Sequence, residues 1–119
     1  MATAFVKAHA EAIKRFYDDR NFATALMIKY GGTRNAEDAN RVYDLFYKAR
    51  VLEAVPYALK GSVDAVMERQ GTELKGVELS KMIDNSLIDQ LVAEKYFEKT
   101  FGASIRDEQQ RRQAQAFRR

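Results

Sequence analysis

Apolar residues recur at three- and four-residue spacing along most of this 119-residue chain, and no segment alternates convincingly at period two. Glycines punctuate the pattern. Gly31-Gly32, Gly71 and Gly102 each stand just past an apolar stripe, where a helix is expected to stop. A chain written this way buries its stripes helix against helix, so the expected fold class is all-α. The pattern predicts about five short amphipathic helices in one compact, bundle-like domain. The length supports one such domain with a modest core.

The first helix is predicted over residues 4–19, with Phe5, Ala8, His9, Ala12, Ile13 and Phe16 on its apolar face. Val6, Ala10 and Tyr17 widen that face. Asp18-Asp19 fit better as the entry to a second helix, which Asn21 can cap and which ends at Tyr30. Thr33 or Asn35 caps a third, with Glu37 and Asp38 in its first turn and Ala39, Val42, Tyr43, Phe46 and Ala49 as its core face. Pro56 biases Val55 to an extended conformation, so residues 51–59 read as a connection. A fourth helix follows from Gly61-Ser62 to Gln70. After a glycine-containing loop, Ser80 to Ile83 leads into a fifth. There Asp84, Asn85 and Ser86 can each cap the N-terminus of a stripe carrying Leu87, Leu91 and Tyr96, flanked by Ile88, Val92 and Phe97.

The net charge of +3 lies entirely in the last 14 residues, where Arg106, Arg111, Arg112, Arg118 and Arg119 face only Asp107 and Glu108. Residues 105–119 are therefore set apart as an Arg/Gln-rich tail, either a frayed helix or disordered, while 1–104 form the helical domain. Cysteine is absent, which excludes disulfides and thiolate metal sites. No apolar run approaches the roughly 20 residues that cross a bilayer, so membrane insertion is not expected. Nor does a secretory signal open the sequence. As written, the chain is expected in the cytoplasm, or in the periplasm if it is a piece of a longer exported protein.

Order and spacing over about 100 residues resemble a known family. The pattern runs from "FVKAHAEAI" through "KYGG" and the Val42–Phe46 helix. It continues through Val55-Pro56-Tyr57 and Gly61-Ser62-Val63 to the Asp84-Asn85-Ser86 helix with its aromatic finish at Tyr96, Phe101 and Gly102. This is similar to the C-terminal helical portion of ABC-transporter substrate-binding proteins of the NMT1/THI5-like, nitrate/sulfonate/pyrimidine-precursor type. Lys95 departs from the pattern, because a glycine often precedes the aromatic there and permits a tight turn between two helical pieces. Lys95 suggests one continuous helix instead. The resemblance implies recognition of a small organic molecule. It also implies that the sheet-forming lobes enclosing the ligand are missing from this sequence, and no family ligand-binding residue maps onto it. A helical set that normally packs on a sheet has an apolar face left over, so the expected partners are those lobes or a second copy of the chain.

The residues themselves offer little catalysis. His9, the only histidine, has no carboxylate or nucleophile at a spacing that would serve it, and reads as a packing or partly exposed side chain. The acidic pairs Asp18/Asp19, Glu37/Asp38 and Asp84/Asp89 each have a capping or dipole explanation. No metal-ligand spacing is present, and neither a cofactor nor catalytic residues are expected. Tyr17, Tyr47 and Tyr57 are the aromatics expected near a surface or pocket, where they could touch a ligand; packing is the competing reading. The rival function is a small helical interaction or regulatory protein whose five tail arginines contact nucleic acid or an acidic partner. Nucleic acid is disfavoured, because no recognition-helix pattern or basic face accompanies the tail.

Overall fold

A computed structural model describes residues 1–73, 75–78 and 81–118. Among these the fold is all-α, with seven helices and no strand. The chain divides into two compact units, Met1–Ala54 and Val55–Arg119. The division falls beside Pro56 rather than ahead of the arginine-rich tail.

The first unit holds α1 (Ala2–Asp18), α2 (Arg20–Tyr30) and α3 (Ala36–Ala49). The turn from α1 to α2 is a single residue, Asp19, whose carboxylate accepts the Phe22 N–H at 2.9 Å and so caps α2. Asp19, not Asn21, is the cap. Asn35 caps α3 by accepting the Asp38 N–H at 2.9 Å. α2 packs on both neighbours through Ala23 and Thr24, small enough to let the helices approach closely. The Thr24 hydroxyl donates back to the Arg20 carbonyl at 2.9 Å and is thereby satisfied.

The buried face of α1 is Ala10, Ile13 and Tyr17; Ile13 belongs to the expected stripe, whereas Ala10 and Tyr17 were expected only to widen it. Phe5, Ala8, His9 and Ala12 are exposed, because that side of α1 turns away from α2 and α3. An aromatic cluster of Phe16, Tyr17, Tyr43, Phe46 and Tyr47 joins α1 to α3, with ring centroids 5.5–6.2 Å apart. The Tyr43 hydroxyl donates to the Tyr17 carbonyl at 2.5 Å.

α3 ends at Arg50, which takes a left-handed conformation (φ 48°, ψ 49°). Its N–H and that of Val51 return to the carbonyls of Tyr47 and Phe46, closing the helix in a Schellman-type arrangement that usually employs glycine.

The second unit contains α4 (Lys60–Gln70), α5 (Ser86–Ala93), α6 (Tyr96–Phe101), a 3-10 turn (Ala103–Ile105) and α7 (Arg106–Gln115). Its core is Val55, Tyr57, Ile88, Leu91, Phe97, Ile105 and Ala116. The segment set apart as a tail contributes to that core: α7 buries Gln109 and Arg112, and Ile105 and Ala116 are buried at its two ends.

The continuous helix expected through Lys95 is instead broken there. Lys95 is left-handed (φ 58°, ψ 28°), and α5 and α6 are separate. The packing explains the break. On one unbroken helix, Phe97 would point about 120° away from Leu91. The turn at Lys95 re-aims α6 so that both side chains are fully buried.

Candidate functional site

The most connected polar arrangement among the described residues surrounds the non-helical stretch Val55–Leu59. Pro56 holds Val55 out of the helical region, and a tight turn closes over it, with the Tyr57 N–H donating to the Val55 carbonyl at 2.9 Å. Buried backbone of this kind cannot use water, so it must find partners elsewhere. Glu108 accepts the Val55 N–H at 3.1 Å. Arg112 donates to the Val55 carbonyl at 2.5 Å and to the Tyr57 carbonyl at 3.1 Å. Asn85 takes both groups of Ala58, accepting its N–H at 2.8 Å and donating to its carbonyl at 3.0 Å. The same Asn85 amide donates to the Phe117 carbonyl at 2.9 Å, while the Phe117 N–H donates to the Ala58 carbonyl at 2.8 Å. Leu59 and Ala116 form an isolated antiparallel bridge alongside.

Asn85 thus ties two extended pieces of chain together. It stands at the start of α5 but its side chain does not cap that helix; Asp84 accepts the Ser86 N–H at 2.8 Å instead. The three potential caps read from sequence have divided their roles.

Charged chemistry is concentrated one turn further along α5. The Asp89 carboxylate accepts the Tyr57 hydroxyl at 2.7 Å and two bonds from Arg118, at 2.5 and 3.0 Å. Arg118 also lies 5.7 Å from the centre of the Tyr57 ring. The Arg118 bonds hold the Asp89 carboxyl below the usual range, against the opposing effect of burial. Burial, then the bond to Asp89, pushes the Tyr57 phenol up. The bond to Asp89 likewise raises Arg118. Burial lowers Arg112. A carboxylate already accepting three donors and held in its charged form is poorly placed to take a proton from a substrate. A cleft of about 160 Å³ lies against this cluster, lined by Ile83, Asp84, Asn85, Ser86, Asp89, Phe117 and Arg118.

The three tyrosines singled out in the sequence are not gathered into one site. Tyr57 is buried in the second unit. Tyr17 is buried in the first, where its hydroxyl donates to the Leu52 carbonyl at 2.9 Å and accepts the Leu52 N–H at 2.8 Å. Only Tyr47 is exposed, at 47%. Its ring lies 6.0 Å from that of Tyr17, and the Arg50 guanidinium sits 4.7 Å from each ring centre. Arg50 carried no sequence signal, since nothing local marks a left-handed arginine.

The tail arginines also separate. Arg112 is buried, Arg118 is bound to Asp89, and Arg106 makes a long 3.4 Å contact with Glu98. Arg111 is exposed on α7, and Arg119 lies outside the described residues. A polyanion would have to compete with Asp89 for Arg118, and it would meet Arg112 only by opening the second unit.

No group of three or more potential metal-ligating side chains occurs among the described residues. Among the same residues, no helix is long and apolar enough to cross a membrane. No protein-family model matches this chain, and neither does a curated protein or a solved structure.

Proposed function

We propose that this chain is the helical C-terminal portion of a solute-binding protein of the NMT1/THI5-like type, working in the recognition of a sulfonate, a nitrate-like anion or a pyrimidine precursor. The observation that carries the reading is the backbone at Lys95. Members of that family often have a glycine before the aromatic, and a glycine there permits a tight turn between two helical pieces. Here a lysine occupies the position, yet the chain turns there between α5 and α6 with Lys95 left-handed. The geometry that the family's glycine favours is present despite the change of residue.

Packing in the second unit adds support. Pro56-Tyr57, Asn85, Leu91 and Phe97 belong to segments that carry the resemblance, and they are among the residues that hold this unit together. Large apolar side chains such as Phe5 (74% exposed), Leu45 and Met82 remain open to solvent, as expected of helices that pack against further lobes. On this reading the helices support a ligand cleft built by those lobes and perform no chemistry.

The test begins with the DNA upstream of the Met1 codon, read in frame. A continuation encoding two sheet-forming lobes is expected. Its product should bind an alkanesulfonate, nitrate or a pyrimidine precursor in calorimetry. A start site with no such continuation, or a full product that binds none of the three, would remove the transport reading.

A further inference from the structure

The charged side chains of the first unit are mostly spoken for. Lys14 pairs with Asp18, Arg20 with Asp44 and Arg41 with Glu37. Arg50 differs from these. Among the described residues it has no ion pair and no side-chain hydrogen bond, and its guanidinium instead rests in the notch between Tyr17 and Tyr47. Those rings are inclined at 74° to one another, and the guanidinium centre is 4.7 Å from each ring centre.

Three features make this more than a solvated arginine. Both rings are themselves held. Tyr17 is anchored through its hydroxyl to the backbone of Leu52, and Tyr47 stacks on Tyr43 with centroids 6.0 Å apart. The Arg50 backbone is left-handed, a conformation a non-glycine residue adopts at a cost, and such outliers persist where the surrounding structure over-determines them. Aromatic faces also hold the guanidinium through its π-system and take none of its five N–H donors. The result is a positioned, charged fork with its hydrogen-bonding capacity unspent.

We propose that Arg50, held by Tyr17 and Tyr47, is a binding point for a single oxyanion group, a carboxylate or a sulfonate on a small molecule. The fork of a guanidinium matches the paired oxygens of either group, and the rings fix its orientation before the ligand arrives. The site lies wholly in the first unit and stands whether or not the transport reading does.

The test is a titration of the full chain with methanesulfonate and, separately, acetate at low ionic strength, with sodium chloride as control. The readout is the side-chain Nε–H resonance of Arg50 together with the Tyr47 ring resonances. A saturable shift with at least one oxyanion, beyond that with chloride, is expected; which of the two binds more tightly identifies the preferred group. Arg50→Gly suits the left-handed position, so it keeps the helix end and the fold. It should abolish the Tyr47 response. Arg50→Lys keeps the charge but loses the fork and should bind at least tenfold more weakly. A response equal to that of chloride, or one that survives in Arg50→Gly, would overturn the proposal.

Discussion

Asn85 and Ala58 are paired like two residues of a sheet, although one partner is a side chain: the Asn85 amide accepts the Ala58 N–H at 2.8 Å and donates to the Ala58 carbonyl at 3.0 Å. It completes the backbone pairing of a stretch that, among the described residues, is otherwise paired with another segment's backbone only through the Leu59–Ala116 bridge and the Phe117 N–H. Because the same amide donates to Phe117, three backbone groups depend on one side chain.

Asn85→Ala should therefore be costly. Each buried polar group left unpaired costs about 1–3 kcal/mol, so a loss of about 3 kcal/mol in urea unfolding is expected. Asn85→Asp keeps the acceptor and loses the donors, and should fall between wild type and the alanine variant. Equal unfolding midpoints for all three proteins would show that Asn85 does not hold these segments.

Two arginines close together on α7 should behave oppositely. Arg112→Leu strips donors from the carbonyls of Val55 and Tyr57, and a loss of about 2–4 kcal/mol is expected. Arg106→Ala removes a long, exposed contact with Glu98 and should cost less than about 0.5 kcal/mol. Thermal melts of the two variants check the contrast. Comparable losses would mean that α7 is not seated as described.

Stability should depend on pH at both ends of the range. The folded Asp89 carboxyl titrates below its unfolded value, so its contribution is present above about pH 4 and disappears as pH falls through the folded pKa. Asp89→Asn should flatten the acid limb of the stability profile. The Tyr57 phenol is shifted upward, so its contribution is complete below about pH 10 and is lost as pH climbs through the folded pKa. Absorbance at 295 nm should show one tyrosine fewer ionising late when Tyr57→Phe is compared with wild type. An acid limb unchanged in Asp89→Asn would argue against the Asp89–Arg118 pairing.

The two left-handed residues give a paired prediction. Lys95→Gly relieves backbone strain and should stabilise the protein by about 0.5–1 kcal/mol. Arg50→Gly relieves the same strain but forfeits contacts with two rings, each worth about 0.5–1 kcal/mol, and should come out near neutral or slightly destabilising. A lower denaturation midpoint for Lys95→Gly would be inconsistent with a left-handed turn there.

What the sequence by itself determined is local. The all-α class, the helix stops at Gly31-Gly32 and Gly71 and the Asn35 cap all follow from interactions within four or five positions along the chain. Such signals are written where they act. The tertiary structure decided which of the equivalent-looking residues would be used. Asn85 finds its partner 27 positions away, and Arg112 reaches a carbonyl 57 positions back, turning an apparent tail into part of a core. Tyr17 and Tyr57 are interior because Leu52 and Asp89 meet their hydroxyls, whereas Tyr47 stays at the surface. Residue type disfavoured a break at Lys95. It forms there because burying Leu91 and Phe97 together outweighs the cost of one left-handed residue, at about 1–2 kcal/mol. Local preferences are worth tenths of a kilocalorie to about one, and burial of large side chains is worth more. Where the two disagreed, the packing prevailed.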